Sequence, residues 1–224
     1  MMPHDWGAQA ELVALAEGLV VRLPSGLSME EATALPVPGL TALRALRTLG
    51  KLQAGQRVLI NGGSSSVGMA AVQIAATDGA NVTAVCGQDS FGMLTALGAT
   101  ELIDYRTTDF AAGPAKYDLI FDCIGNKPHS ACKGVINSRG AHVTTTPRVA
   151  TFIRQFLNPL FSVKVHPLIT TGDGSQLAVI ESLVVAGKLK PIIDQILPVD
   201  EVAAAHQYSK SGRAKGKIVL QIAR

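Results

Sequence analysis

The sequence is short of charge. Asp, Glu, Lys and Arg make up 17% of its 224 residues, below the roughly 25% of an average globular chain. Apolar residues make up 47%. That balance excludes an intrinsically disordered chain, which needs low hydrophobicity and high charge. There is no run of like charge, and the net charge is only +3. Basic residues are scattered apart from Lys210, Arg213, Lys215 and Lys217. A nucleic-acid footprint needs a clustered basic face, so no nucleic-acid partner is expected. No apolar run approaches the ~18 residues of a membrane span, so no membrane partner is expected either. Met1 to Gly7 shows no basic stretch followed by an apolar one, so no secretory signal is readable. Cysteine is scarce: there are three, Cys86, Cys123 and Cys132, without metal-type spacing. Reduced thiols and a cytoplasmic location are expected. His4, His129, His142, His166 and His206 form no H-x-x-x-H pair, and no metal site is expected.

What is present alternates. Arg57–Asn61 is a short apolar run ending in glycines, as a buried parallel strand should be. Helical sequence follows over Val67–Thr77. Asn81–Cys86 is β-branched and predicts a second strand. Ser90–Leu97 predicts a helix closed by Gly98. Glu101–Asp104, Tyr117–Ile124, Gly140–Thr145 and, more weakly, Phe161–Val165 predict four further strands, and Gln176–Ala186 a helix ended by Gly187. Units of this length predict an α/β fold, a doubly wound parallel sheet with helices on both faces. Upstream, Ser28-Met-Glu-Glu31 has capping-box form, and Leu40–Leu49 predicts a helix. Pro36–Gly39 and Thr170–Gly174 read as mild linkers. Ala10–Ala16, Leu19–Leu23 and Lys217–Ile222 stand outside the alternation and predict strands of a smaller sheet.

The most informative stretch is Asn61-Gly62-Gly63-Ser64-Ser65-Ser66-Val67-Gly68, between a predicted strand and a predicted helix. A helix N-terminus presents unpaired N–H groups and the positive end of a dipole, which suit a pyrophosphate. Glycines let the backbone turn tightly and approach the phosphates. The pattern here is Gly62-x-x-Ser65-x-x-Gly68. The central serine crowds the approach, while the Ser64, Ser65 and Ser66 hydroxyls offer extra donors. A ligand-free βα turn is the plainer reading; the strand–loop–helix context favours cofactor binding. Past the second strand, Asp89 lies near the distance expected of a ribose-binding acid. It equally suits the N-cap of the next helix, which is the favoured reading. No Lys or Arg is close in sequence, so these residues do not decide between NAD and NADP. The loop also lacks the G-x-S-x-G elbow of a serine hydrolase.

Taken in order, Gly7–Glu11, Leu23–Pro36, Gly39–Ala42, Gly55 with Val58–Gly63, Val67-Gly68, Leu97–Ala99 with Ile103–Tyr105, Tyr117–Asp122, Gly187–Pro191, Ala203–His206 and Gly212–Leu220 resemble the medium-chain dehydrogenase/reductase superfamily. Within it, the likeness is to the zinc-independent quinone oxidoreductase (zeta-crystallin-like) branch, and it spans nearly the whole chain. The resemblance implies a Rossmann domain that binds NADP(H) in preference to NAD(H), usually in a homodimer. Its pyrophosphate loop falls on Gly62, Ser64, Ser65, Ser66 and Val67. The adenosine side falls on Gly87, Gln88 and Tyr105. The nicotinamide side falls on Gly125, Asn126, Thr144, Thr145 and Thr146. Each has an ordinary alternative: a packing aromatic for Tyr105, a turn residue for Asn126, β-branched strand for the threonines.

In that family a GroES-like barrel precedes the Rossmann domain. The resemblance assigns residues 1–24 to the last fragment of such a barrel, 25–212 to the Rossmann domain and 213–224 to the barrel's closing strand. Half of the substrate cleft is then absent, and no catalytic residue can be assigned. The surface that would meet the barrel is expected to be apolar and uncovered. Two functions stand at this stage. One is an NAD(P)H-dependent reductase passing hydride to a small-molecule acceptor, a quinone or an α,β-unsaturated carbonyl. The other is a non-catalytic, dimerising dinucleotide-binding module.

Overall fold

A computed structural model describes residues 12–24, 26–170, 172 and 174–222. The first α-helix is capped by Ser28, whose hydroxyl accepts from Glu31 N while the Glu31 carboxylate accepts from Ser28 N. This capping box heads the short α1 (Met29–Thr33). Next comes α2 (Pro36–Leu43), prolonged by a wider π-type turn over Arg44–Leu49, where Gly50 N reaches back to Ala45 O. Pro36–Gly39 is thus the first turn of a helix and not a linker. A proline at the first helical position has no N–H to lose there.

Six parallel strands follow: β1 (Arg57–Asn61), β2 (Asn81–Cys86), β3 (Glu101–Asp104), β4 (Tyr117–Asp122), β5 (Ile136–Thr144) and β6 (Lys164–Pro167). Their spatial order is β3-β2-β1-β4-β5-β6. Between them run α3 (Ser66–Thr77), α4 (Phe91–Ala96), α5 (His129–Cys132) and α6 (Val149–Phe156). Then come α7 (Gly174–Val185), β7 (Ile193–Pro198), α8 (Val202–Lys210) and β8 (Lys217–Gln221).

Alternation sorts the sheet's side chains between two cores. Val58 and Ile60 pack with Met69 and Ile74 of α3, Leu40 of α2 and Ile180 of α7. Leu59, between them, packs the other way with Ile120, Val85, Phe110 and Tyr117. Both faces of β1 are therefore buried, which is why its sequence is a continuous apolar run. The chain moves outward from β1 to β3, then returns to place β4 on the other side of β1. This reversal opens a crevice at the carboxyl ends of β1 and β4, where ligands of open α/β sheets bind.

The sequence placed β1, β2 and β3 to the residue. It ran β4 two residues too far, because Asp122 turns the chain, and it set the sixth strand too early. It missed β7, which pairs in parallel with β8 in a separate two-stranded sheet. Among the described residues, 12–23 hold no strand, only a single tight turn at Glu17–Leu19. The expected strand at Leu19–Leu23 is therefore corrected: it has no neighbour to complete its ladder. The start of the expected Ala10–Ala16 strand, and the Gly7–Glu11 motif, lie outside the described residues. Apolar side chains are uncovered, among them Val20 and Leu23 near the start and Phe152, Ile153 and Phe156 of α6. No described helix is long and apolar enough to cross a membrane.

Candidate functional site

The loop after β1 is built by three glycine requirements. Gly62 has a φ of +87°, a conformation that disfavours any side chain. A Cβ on Gly63 would lie 2.9 Å from that of Ala84, and one on Gly68 would collide with Gly62 O. Gly68 lets α3 start this close to the strand. Ser65 is the N-cap of α3: its hydroxyl accepts from Gly68 N at 3.0 Å and donates to Gly62 O at 2.8 Å. The expectation that the Ser65 hydroxyl serves as a spare donor is therefore corrected, since the cap consumes it. The backbone N–H groups of Ser66 and Val67 open the twelve-residue helix with no backbone partner among the described residues. They are the site's donors toward an anion, and the Ser64 and Ser66 hydroxyls flank them.

Across the crevice, Asn61 ties the strand ends together. Its Nδ2 donates to Asp122 Oδ1 and to Asn126 Oδ1, both at 2.8 Å. Asp122 Oδ1 also accepts from Ile124 N at 3.0 Å and Gly125 N at 2.9 Å. Asn61 and Asp122 are 3% and 2% exposed, so this network is the buried frame of the site. Gly125, at φ +78°, lies directly beneath Thr146. Thr145 N donates to Asp122 O at 3.0 Å, and Thr146 N to Thr144 Oγ1 at 3.2 Å. Gly125, Asn126, Thr144, Thr145 and Thr146 are thus brought to one rim. Sequence reasoning missed Asn61 and Asp122, though a polar residue closing each of two apolar strands was the available signal.

Gly87, Gln88 and Tyr105 gather at the tips of β2 and β3, where Tyr105 N donates to Cys86 O at 3.2 Å. Asp89 is not a helix cap: α4 begins at Phe91, and its N-cap, Ser90, makes no side-chain bond. Asp89 instead pairs with Lys215 at 3.0 Å and Arg106 at 3.7 Å. Its bond to Lys215 holds the carboxyl below the usual range. Arg106 also lies over the Tyr105 ring, 5.5 Å from its centre. The reading that no cation is near is corrected: folding brings two from distant parts of the chain.

Cys86, Cys123 and Cys132 are free. Burial pushes the thiols of Cys86 and Cys132 up to about 11 and that of Cys123 higher, so none is a thiolate near neutrality. Among the described residues, no three His, Cys, Asp or Glu side chains gather closely enough to hold a metal ion.

A family model described as zinc-binding dehydrogenase matches residues 97–220; the zinc in that description finds no ligand set among the described residues. The chain is 33% identical to the chloroplastic quinone-oxidoreductase QR1 of Triphysaria versicolor over 96% of its length and 69% of that protein's. A solved NAD-dependent alcohol dehydrogenase superposes with a TM-score of 0.82 at 30% identity, covering 97% of this chain and 66% of that one. The quinone oxidoreductase from Coxiella burnetii does so at 0.80 and 28% identity, covering 89% and 62%. The chain thus spans about two thirds of the length of these relatives. A parallel six-strand sheet with its glycine loop at the reversal point, together with these likenesses, places the chain in the medium-chain dehydrogenase/reductase superfamily.

Proposed function

We propose that the chain is an NAD(P)H-dependent oxidoreductase of quinone-reductase or enoyl-reductase type. The observation that carries this is the open N-terminus of α3, with Ser66 and Val67 N–H uncommitted, facing a crevice framed by Asn61 and Asp122. A pyrophosphate fits these donors. The glycines fit it too: side chains on Gly62, Gly63 or Gly68 would fill or distort the loop. Gly125, Asn126 and the Thr144–Thr146 backbone would hold the carboxamide and ribose of the nicotinamide. When bound, the dinucleotide supplies hydride, and the protein's part is orientation. The acceptor is a quinone or an α,β-unsaturated carbonyl, already activated by conjugation. Relatives named as quinone oxidoreductases, NAD(P)H oxidoreductases and enoyl reductases support that class.

NADP(H) is favoured over NAD(H). The tip of β2 itself carries Gly87, and Arg106 and Lys215, which pair with Asp89 just beyond it, supply the positive charge a 2′-phosphate would need. The outer edge of β6, unpaired among the described residues, supports a homodimer. The test is NADPH oxidation with 1,4-benzoquinone, run beside a fluorescence titration of NADPH. Turnover is the expected result. Binding without turnover supports the non-catalytic module instead, and no binding overturns both.

A further inference from the structure

On the face of the sheet opposite α3, a cavity of about 490 Å³ opens between β5 and α6. That is room for a small organic molecule. Its floor is His142 of β5, 2% exposed. Among the described residues, neither ring nitrogen of His142 has a hydrogen-bond partner, and Nδ1 of His129 is buried without one as well. The two rings lie 5.7 Å apart, centre to centre. Asp122 Oδ2 stands 4.0 Å from His142 Nε2, beyond hydrogen-bond length. Buried polar atoms are normally satisfied, so these unpartnered nitrogens facing a cavity mark a place where a ligand's polar group belongs.

The walls say which group. Lys127, Lys133, Arg148 and Arg154 line the cavity against the single carboxylate of Asp122. Asp122 Oδ1 is already taken by Asn61 and two backbone N–H groups. Lys127 is held by Asp109, and Arg154 by Asn158 and the Val163 carbonyl. Lys133 and Arg148 form no ion pair among the described residues. Burial pushes His129 down to about 4, helped by the neighbouring His142 and by the positive charges of Arg154 and Lys133. A neutral imidazole still carries one N–H donor. Phe161 and Val165 give the cavity an apolar side, and Gly125, Thr144 and Thr146 join it to the rim described above.

We propose that this cavity receives a compact organic oxyanion, with its charged oxygens between the imidazoles and Arg148 and its apolar body against Phe161 and Val165. It would be the anionic end of the acceptor, an inference that rests on the reading of Gly125 and Thr144–Thr146 as the nicotinamide side. Sequence inspection of histidine spacing could not find the site, because the two histidines meet only through the pairing of β4 with β5.

Calorimetric titration of the full chain tests it with three probes: cinnamate, its uncharged isostere cinnamamide, and phenyl phosphate. Cinnamate or phenyl phosphate is expected to bind at least about tenfold more tightly than cinnamamide. The tighter of the two acids identifies the oxyanion as carboxylate or phosphate. Arg148→Gln, at an exposed position, is expected to weaken the acid about tenfold and leave cinnamamide and NADPH unchanged. His129→Gln should weaken the acid likewise. Equal affinity for acids and amide, or no effect of Arg148→Gln, overturns the proposal. NADPH binding without oxyanion binding sinks this site alone. Oxyanion binding without NADPH binding leaves the site standing and removes the reading of it as an acceptor pocket.

Discussion

Gly125 sits directly under Thr146, so close that a Cβ on the glycine would collide with the threonine hydroxyl. Gly125 also takes φ +78° and gives its N–H to Asp122. The end of β4 and the end of β5 are thereby locked together as one rim. Gly125→Ala should cost about 1–3 kcal/mol of stability from strain alone. It should also weaken NADPH by about tenfold or more. Thr146→Gly in the same background should recover part of both losses, which a double-mutant cycle would show as coupling.

The cap of α3 is a second test. Ser65→Ala removes the acceptor of Gly68 N and should destabilise the chain by about 1 kcal/mol in urea unfolding. Ser64→Ala, whose hydroxyl makes no such bond, should leave stability nearly unchanged.

Cofactor choice follows from Arg106 and Lys215. Each pairs with Asp89 at the tip of β2. Arg106→Ala and Lys215→Ala should each weaken NADPH by about tenfold and leave NADH within about twofold. Parallel loss of both cofactors would show that the two cations only brace the loop.

Stability should fall in mild acid. Burial lowers the pKa of His129, to about 4 against an ordinary 6.5, and lowers those of His142 and His166. A lowered folded-state value means the unfolded chain binds more protons in the interval between. The stabilisation is therefore complete above pH 6.5 and lost as pH falls toward 4. For His142, Asp122 opposes the shift without reversing it. Urea midpoints measured from pH 7.5 to 4.5 should decline, and His129→Gln should flatten the decline.

Local signals made much of this legible. The strands β1 and β2 could be bounded to the residue because buried parallel strands are nearly unbroken apolar runs that stop at a polar residue or glycine; the half-exposed edge strand β3 was bounded by its polar ends, Glu101 and Asp104. The glycine loop was legible for the same reason, since its conformation is set locally. What escaped depends on distant chain. The half-buried β7 follows Pro191 closely and ends at Pro198, and it looks like loop until β8 pairs with it. The helix α6 does carry a helical apolar stripe, Val149, Phe152, Ile153 and Phe156, a signal the sequence reading passed over; what folding adds is that this stripe stays exposed. Asn61 with Asp122, Asp89 with Lys215, and His129 with His142 meet only once the sheet has formed.

The most direct measurement is an amide NMR titration of the full chain with NADPH, following Ser66, Val67 and Gly68. Saturable shifts at Ser66 and Val67, larger than those at amides of the β7–β8 sheet, are expected. No change at these amides at millimolar NADPH would contradict the assignment of the α3 N-terminus as a pyrophosphate site.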